Sequence, residues 1–237
     1  MRRAALIIGG LVAMALTSPL AAGAAAPKVQ QLVVFRDGHA TAKRVSTAAT
    51  SVRAGGSRCA VGERTALAAL VRSRVGRLRL RDFGACSSNP VDSAGLLVTG
   101  IGPDRNRGQR GWVYKVGRRA ATAGVADTGG PFGNGRLRAR QRVTWFYCVR
   151  AGDCQRTLGL TATVFRGGVA AEVRGYDDAG DGIPIAGATV TASGVTGVTG
   201  VTDADGRVQL ELHTGFQRVV ARKDGLVRSF AELVEVP

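Results

Sequence analysis

One stretch of this 237-residue chain repeats its apolar residues at helical spacing: "GERTALAALVRSRV", residues 62–75. Leu67, Leu70 and Val71 fall at i, i+3 and i+4, which makes one apolar stripe, and Thr65 is placed to cap the first turn. Nearly all other apolar residues alternate with polar ones or come in short bursts. "KVQQLVVFR" (28–36), "AGLLVTGI" (94–101), "GWVYKVG" (111–117) and "LGLTATVF" (158–165) read as strands, and "KRVSTAATSVR" (43–53) reads weakly as another. "GRLRLRDFG" and "RLRARQRVTWFYC" alternate with a period of two, one dry face and one wet. One helix among six or seven strands predicts an α+β N-terminal domain over residues 28–166.

From residue 169 no helical period remains. "AAEVRGYD", "GATVTAS", "RVQLELH", "QRVVARK" and "SFAELVEV" are short strands, and "DADG" and "KDG" are turn sequences. These predict an all-β sandwich over 169–237, small enough to need dense packing or support from the first domain. "GVTGVTGVT" (194–202) repeats with a period of three, which does not match a strand, and reads as a hairpin with glycine kinks. Charge changes at the same place. Residues 27–168 carry a net charge of +18 and residues 169–237 a net of −4. That reversal, at "RGG", marks the expected domain boundary.

Arg2 and Arg3, the apolar "AALIIGGLVAMAL" and the small-residue run "AAGAAAP" predict a secretory leader over residues 1–24, cut after Ala24. The apolar run is shorter than the roughly 20 residues that span a bilayer and is broken by Pro19, so no membrane span is expected after cleavage. The protein is therefore expected to be secreted, extracellular or at the cell surface. An exported chain with an even number of cysteines predicts disulfides. Of three connectivities we favour Cys59–Cys86 and Cys148–Cys154. Loop closure assigns roughly 3.5 kcal/mol to the longer loop and roughly 2.4 kcal/mol to the shorter. The cysteines lack the spacing and the nearby His pair of a zinc site.

Both Trp and two of the three Tyr fall in two strands, as Trp112 and Tyr114 in one and Trp145 and Tyr147 in the other. On alternate positions these rings either close a core or form a stacking platform for a sugar or a cyclic ligand. Arg72, Arg74, Arg77, Arg79 and Arg81, with Arg136, Arg138, Arg140 and Arg142, could converge into one basic face. Such a face, centred on Arg77, Arg79, Arg81, Arg138 and Arg140, would attract an anionic cell-wall polymer in a salt-dependent way. Asp177, Asp178 and Asp181 are close together, with Asp203 and Asp205 further on, but Asp-Gly is ordinary turn chemistry and no full calcium loop is present. No G-x-S-x-G, H-E-x-x-H or G-x-x-x-x-G-K-[ST] occurs, and His39 and His213 have no evident partner residues. No catalytic residue, metal or cofactor is expected, nor any sequence-specific contact with nucleic acid.

Two resemblances follow from these motifs. "CAVGERTALAAL", "DFGAC", "GWVYKVG", "FGNGRLRARQRVTWFYC" and "CQRTL" together resemble the transcobalamin-like C-terminal domain of exported bacterial proteins. The family usually carries Gly-Asp just before the last aromatic strand, where this chain has Arg140 and Gln141. "IPIAGATVTASG", "TDADGRVQLEL" and "ARKDGLVRS" resemble a carboxypeptidase regulatory-like, transthyretin-like sandwich. Neither family module is catalytic in itself. The resemblances imply a non-catalytic binding or scaffold protein, with a small-ligand binder as the alternative. In the vitamin B12 carriers a second, helical domain completes the cobalamin clamp. This chain has no such domain, so tight cobalamin binding is not expected.

Overall fold

Period-two alternation becomes sheet in most of the segments where it occurs. The computed structural model describes residues 25–150, 152–194 and 197–237. The leader expected at 1–24 lies outside the described residues. The described chain is mostly β, in several largely antiparallel sheets, with one short α-helix and one 3-10 turn.

Ten strands make up the first half. They are β1 (Lys28–Val34), β2 (Ala40–Ser46), β3 (Thr50–Ala54), β4 (Ser57–Val61) and β5 (Leu78–Asp82). After them come β6 (Leu96–Ile101), β7 (Asp104–Arg105), β8 (Gly111–Val116), β9 (Arg119–Ala120) and β10 (Arg142–Cys148). A five-stranded sheet runs β2-β1-β10-β8-β9, with β1 parallel to β10 and the other pairs antiparallel. The hairpin β3-β4 and the small sheet β5-β6-β7 stand apart from it. Helix α1 (Ala66–Ser73) packs on β1, β2 and β3. Thr65 caps it as expected, its hydroxyl accepting the Ala68 amide at 3.2 Å. Leu67 and Leu70 are buried, and so are Ala66, Ala68 and Ala69, so burial extends well beyond the apolar stripe.

Two segments differ from expectation. Residues 43–53 are two strands, not one. Thr47 breaks the run, its amide and hydroxyl both donating to the Pro27 carbonyl, which turns the chain off β2 before β3 begins. Residues 136–141 are not strand at all. Arg138 and Gln141 close a tight turn in which Arg140 takes φ 66°, the conformation a glycine would adopt more cheaply, and β10 begins only at Arg142.

The second half adds β11 (Thr157–Phe165), β12 (Gly168–Tyr176), β13 (Gly182–Pro184), β14 (Thr189–Ser193), β15 (Val198–Val201), β16 (Arg207–Glu211), β17 (Gly215–Arg222) and β18 (Glu232–Val236). One sheet is built on β12, with β11 along one edge and β13 and β16 sharing the other; the second runs β15-β14-β17-β18. Their inner faces meet through Leu160, Val169, Val173, Val190, Leu210 and Val219, as in a face-to-face sandwich. Gly200 lets β15 close over this core, because a Cβ there would stand 2.7 Å from the Leu210 and Val208 side chains.

β11 corrects the expected boundary. It pairs along its whole length with β12, from Thr157–Tyr176 to Phe165–Gly168, and Leu158 and Leu160 belong to the sandwich core. The charge reversal at "RGG" therefore marks the tip of a hairpin, with Gly167 at φ 82°, and the two halves meet near residue 155.

β10 is buried on both faces, which explains its unbroken apolar run. Val143, Trp145 and Tyr147 face the core under α1. Leu32, Val34, Phe146 and Cys148 face the other way and pack against Val227 of the sandwich, with Phe230 beside them. Full burial of a side chain such as Phe146 contributes on the order of 2–3 kcal/mol, so this shared cluster joins the two halves.

Candidate functional site

The four aromatic rings do come together, but inside the core. Register places Trp145 opposite Tyr114 and Tyr147 opposite Trp112. Trp145 and Tyr114 stack with centroids 4.9 Å apart, while Trp112 meets both Tyr147 and Phe35 edge-on. None of the four is more than 7% exposed. Their polar ends turn to the backbone. Trp112 Nε1 donates to the Asp104 carbonyl, the Tyr147 hydroxyl to that of Arg105 and the Tyr114 hydroxyl to that of Ala123. Burial, with Asp127 adding to it, pushes the Tyr114 hydroxyl pKa well up. An exposed stacking platform is thus not what these strands build. Trp112 and Tyr114 border a pocket of about 260 Å³, below the roughly 300–1,000 Å³ of small-molecule sites.

Nor do the arginines stand on one sheet. Arg79 and Arg81 stand on β5, at the edge of the small sheet, with Arg77 just before it. Arg79 donates to the Gly102 carbonyl at 2.7 Å, and partial burial together with Arg105 and Arg77 lowers its pKa. Arg81 covers the ring of Phe83. Arg138 and Arg140 lie in the turn before β10, a strand of a different sheet. The remaining four serve local structure. Arg72 donates to the carbonyls of Ala48 and Ala49, Arg74 caps α1, Arg136 reaches Glu63 and Arg142 pairs with Glu232 at 2.6 Å.

The Asp cluster works at the junction of the halves. Asp177 accepts the amides of Gly180 and Asp181 and pairs with Arg156 at 3.3 Å. Its carboxyl pKa is lowered, first by the Asp181 amide and further by Arg156. Asp178 pairs with Lys115, whose ammonium also donates to the carbonyls of Tyr176 and Asp177. Asp178 thus holds the first half to the second, while Asp177 ties the turn that carries it to Arg156 within the second half.

Beside that junction a cleft of about 710 Å³ opens between the turn after β1 and the loop after β17. Phe146, Tyr147 and Val227 form part of its wall, and Arg36, Arg222, Lys223 and Arg228 line it along with Asp37 and Asp224. Asp37 accepts the His39 amide at 2.8 Å. Arg228 differs from the other cations of the junction. Its Nε is buried without a hydrogen-bond partner, and burial, then Arg222 and Arg218, lower its pKa. In the sequence "ARKDGLVRS" reads as strand and turn and as part of the resemblance to a regulatory-like sandwich, not as a binding segment. A signal was present: four of the six cations of residues 169–237 fall between 218 and 228.

No family model and no curated protein matches the chain. Native alpha-2-macroglobulin from Escherichia coli, spanning domains NIE-MG1, is similar at 18% identity with a TM-score of 0.27, over 60% of this chain and 65% of that one. The match thus covers less than two thirds of that chain, and a superposition this loose carries no argument about function.

Proposed function

We propose that this is an exported, non-catalytic binding and scaffold protein whose basic surface contacts an anionic polymer of the cell wall. Charge carries the reading. The chain has 33 Lys and Arg against 17 Asp and Glu, and the ion pairs among the described residues engage only five of those cations. So large an excess raises the local concentration of polyanions and speeds their capture. Two disulfides, Cys59–Cys86 and Cys148–Cys154, suit an oxidising exterior. No described helix is long and apolar enough to cross a membrane. In this reading the first half is an α+β module similar to the transcobalamin-like C-terminal domain, and the second is a carboxypeptidase regulatory-like sandwich.

The test is retention of the leaderless, disulfide-intact protein on immobilised wall teichoic acid. Retention at low salt that falls steeply as ionic strength rises is expected. Flow-through at low salt would overturn the reading.

A further inference from the structure

We infer that the cleft between the turn after β1 and the loop after β17 is a phosphate site, with Arg228 and Arg222 as its main ligands and Lys223 at its rim. This rests on the polyanion reading and moves its recognition chemistry away from the arginines of β5.

Three observations converge on Arg228. The first is the unpartnered Nε of a guanidinium in the wall of a cleft of about 710 Å³. A guanidinium offers five donors and stays protonated, so a buried donor without an acceptor is costly. The second is the company it keeps. Arg222 and Arg218 lie close enough to disfavour its charge, and among the described residues no carboxylate pairs with any of the three. The other cations of the junction are provided for: Lys115 has two carbonyls and Asp178, and Arg156 has Asp177 and two carbonyls. The third is that the backbone on both sides of Arg228 is held in place. On one side Val227 exchanges backbone hydrogen bonds with Arg156 and Leu158; on the other Ser229 bonds Ala221 through both its amide and its hydroxyl. A backbone fixed in this way anchors the stem of the Arg228 side chain at the cleft, where the guanidinium can meet an acceptor that the chain does not supply.

A phosphate oxyanion fits this deficit. It offers several acceptor oxygens, takes a guanidinium in bidentate fashion and can answer two cations at once. Asp37 and Asp224 also line the cleft, so a small phosphate group fits better than a run of negative charge along the whole cleft. That phosphate is either inorganic phosphate or one unit of a phosphodiester polymer.

Calorimetry and thermal melts of the leaderless protein, Arg228→Gln, Arg222→Gln and an Arg79→Gln/Arg81→Gln double variant separate these. The probes are inorganic phosphate and a short glycerol-phosphate oligomer. Phosphate should raise the melting temperature of the wild type and leave that of Arg228→Gln unchanged. Arg228→Gln and Arg222→Gln should bind the oligomer about tenfold or more weakly, the equivalent of one charge-assisted hydrogen bond, while the β5 double variant binds as the wild type does. In phosphate-free buffer Arg228→Gln should melt no lower than the wild type, because it loses like-charge repulsion; a structural arginine would show a lower melt. Wild-type affinity in Arg228→Gln overturns the site. If the β5 variant alone loses the oligomer, the site falls and the polyanion reading stands. If the wild type binds phosphate but not the oligomer, the site stands and the polymer reading falls. If it binds neither, both fall.

Discussion

Lys115 Nζ lies 3.0 Å from Asp178 Oδ1 across the junction of the two halves, with the Lys115 side chain 1% exposed and that of Asp178 41%. One end of the pair is dry and the other wet. The ammonium completes its shell with the carbonyls of Tyr176 and Asp177 at 3.1 and 2.7 Å. A cation on β8 therefore gathers the end of β12 onto the first half, and the sandwich gains the outside support that its size calls for.

Removing that cation should loosen the junction. Lys115→Ala is expected to lower unfolding free energy by about 3 kcal/mol in urea denaturation, since it leaves two carbonyls unpaired and breaks a buried pair. Burial, working against Asp178, holds the ammonium below its ordinary pKa of 10.5. The unfolded chain therefore binds this proton more tightly. The stability of the wild type relative to Lys115→Met should accordingly rise with pH over the range between the lowered folded value and 10.5. A flat difference, or one that falls with pH, would show that burial does not dominate.

Trp112 and Trp145 should answer the same substitution differently. Trp112 Nε1 donates to the Asp104 carbonyl, whereas Trp145 Nε1 is buried without a partner. Trp112→Phe leaves a carbonyl unpaired and Trp145→Phe does not, so the first should cost about 1 kcal/mol more in chemical denaturation. Truncation of either to Ala should cost roughly 3–5 kcal/mol.

Gln31 offers a gain in stability. It is 1% exposed on β1, on the face that carries Val29 and Val33, and neither of its amide atoms has a partner. Gln31→Leu replaces unpaired polar atoms with apolar ones of similar size. A rise of about 1–2 kcal/mol in unfolding free energy is expected; a loss would mean that the amide is satisfied in solution.

The position of β11 can be tested with fragments. A chain of residues 155–237 retains the β11–β12 pairing and should show a cooperative thermal transition by circular dichroism. A chain of residues 167–237 leaves Val169, Val173 and Leu210 without Leu158 and Leu160 above them, and should show none. Equal behaviour of the two would return the boundary to residue 169.

The strand periods, the Thr65 cap and both cysteine pairs were legible because each depends on residues close together in the chain or, for the cysteines, on spacing and an even count. Alternation also showed which residues share a face: Trp112 with Tyr114, and Trp145 with Tyr147. It could not show what covers that face, and the choice between core and platform stayed open until α1 and the small sheets were seen to close over it. The arginine pattern failed for a related reason. Alternation at 136–142 resembled a strand, but the turn at Arg138–Gln141, its Arg140 amide bonded to the distant Lys28 carbonyl, overrode it.

By itself, then, the sequence determined a β-rich chain with one capped helix, two sulfur bridges and a large excess of positive charge, since period, spacing and composition are local or additive properties. Tertiary structure alone decided that β11 joins the sandwich, that Lys115 is buried against Asp178 and that Arg228 lies near two arginines with no carboxylate paired to it among the described residues. Those outcomes depend on which distant groups reach a given atom and how much water they exclude, and no pattern along the chain encodes a distance through space.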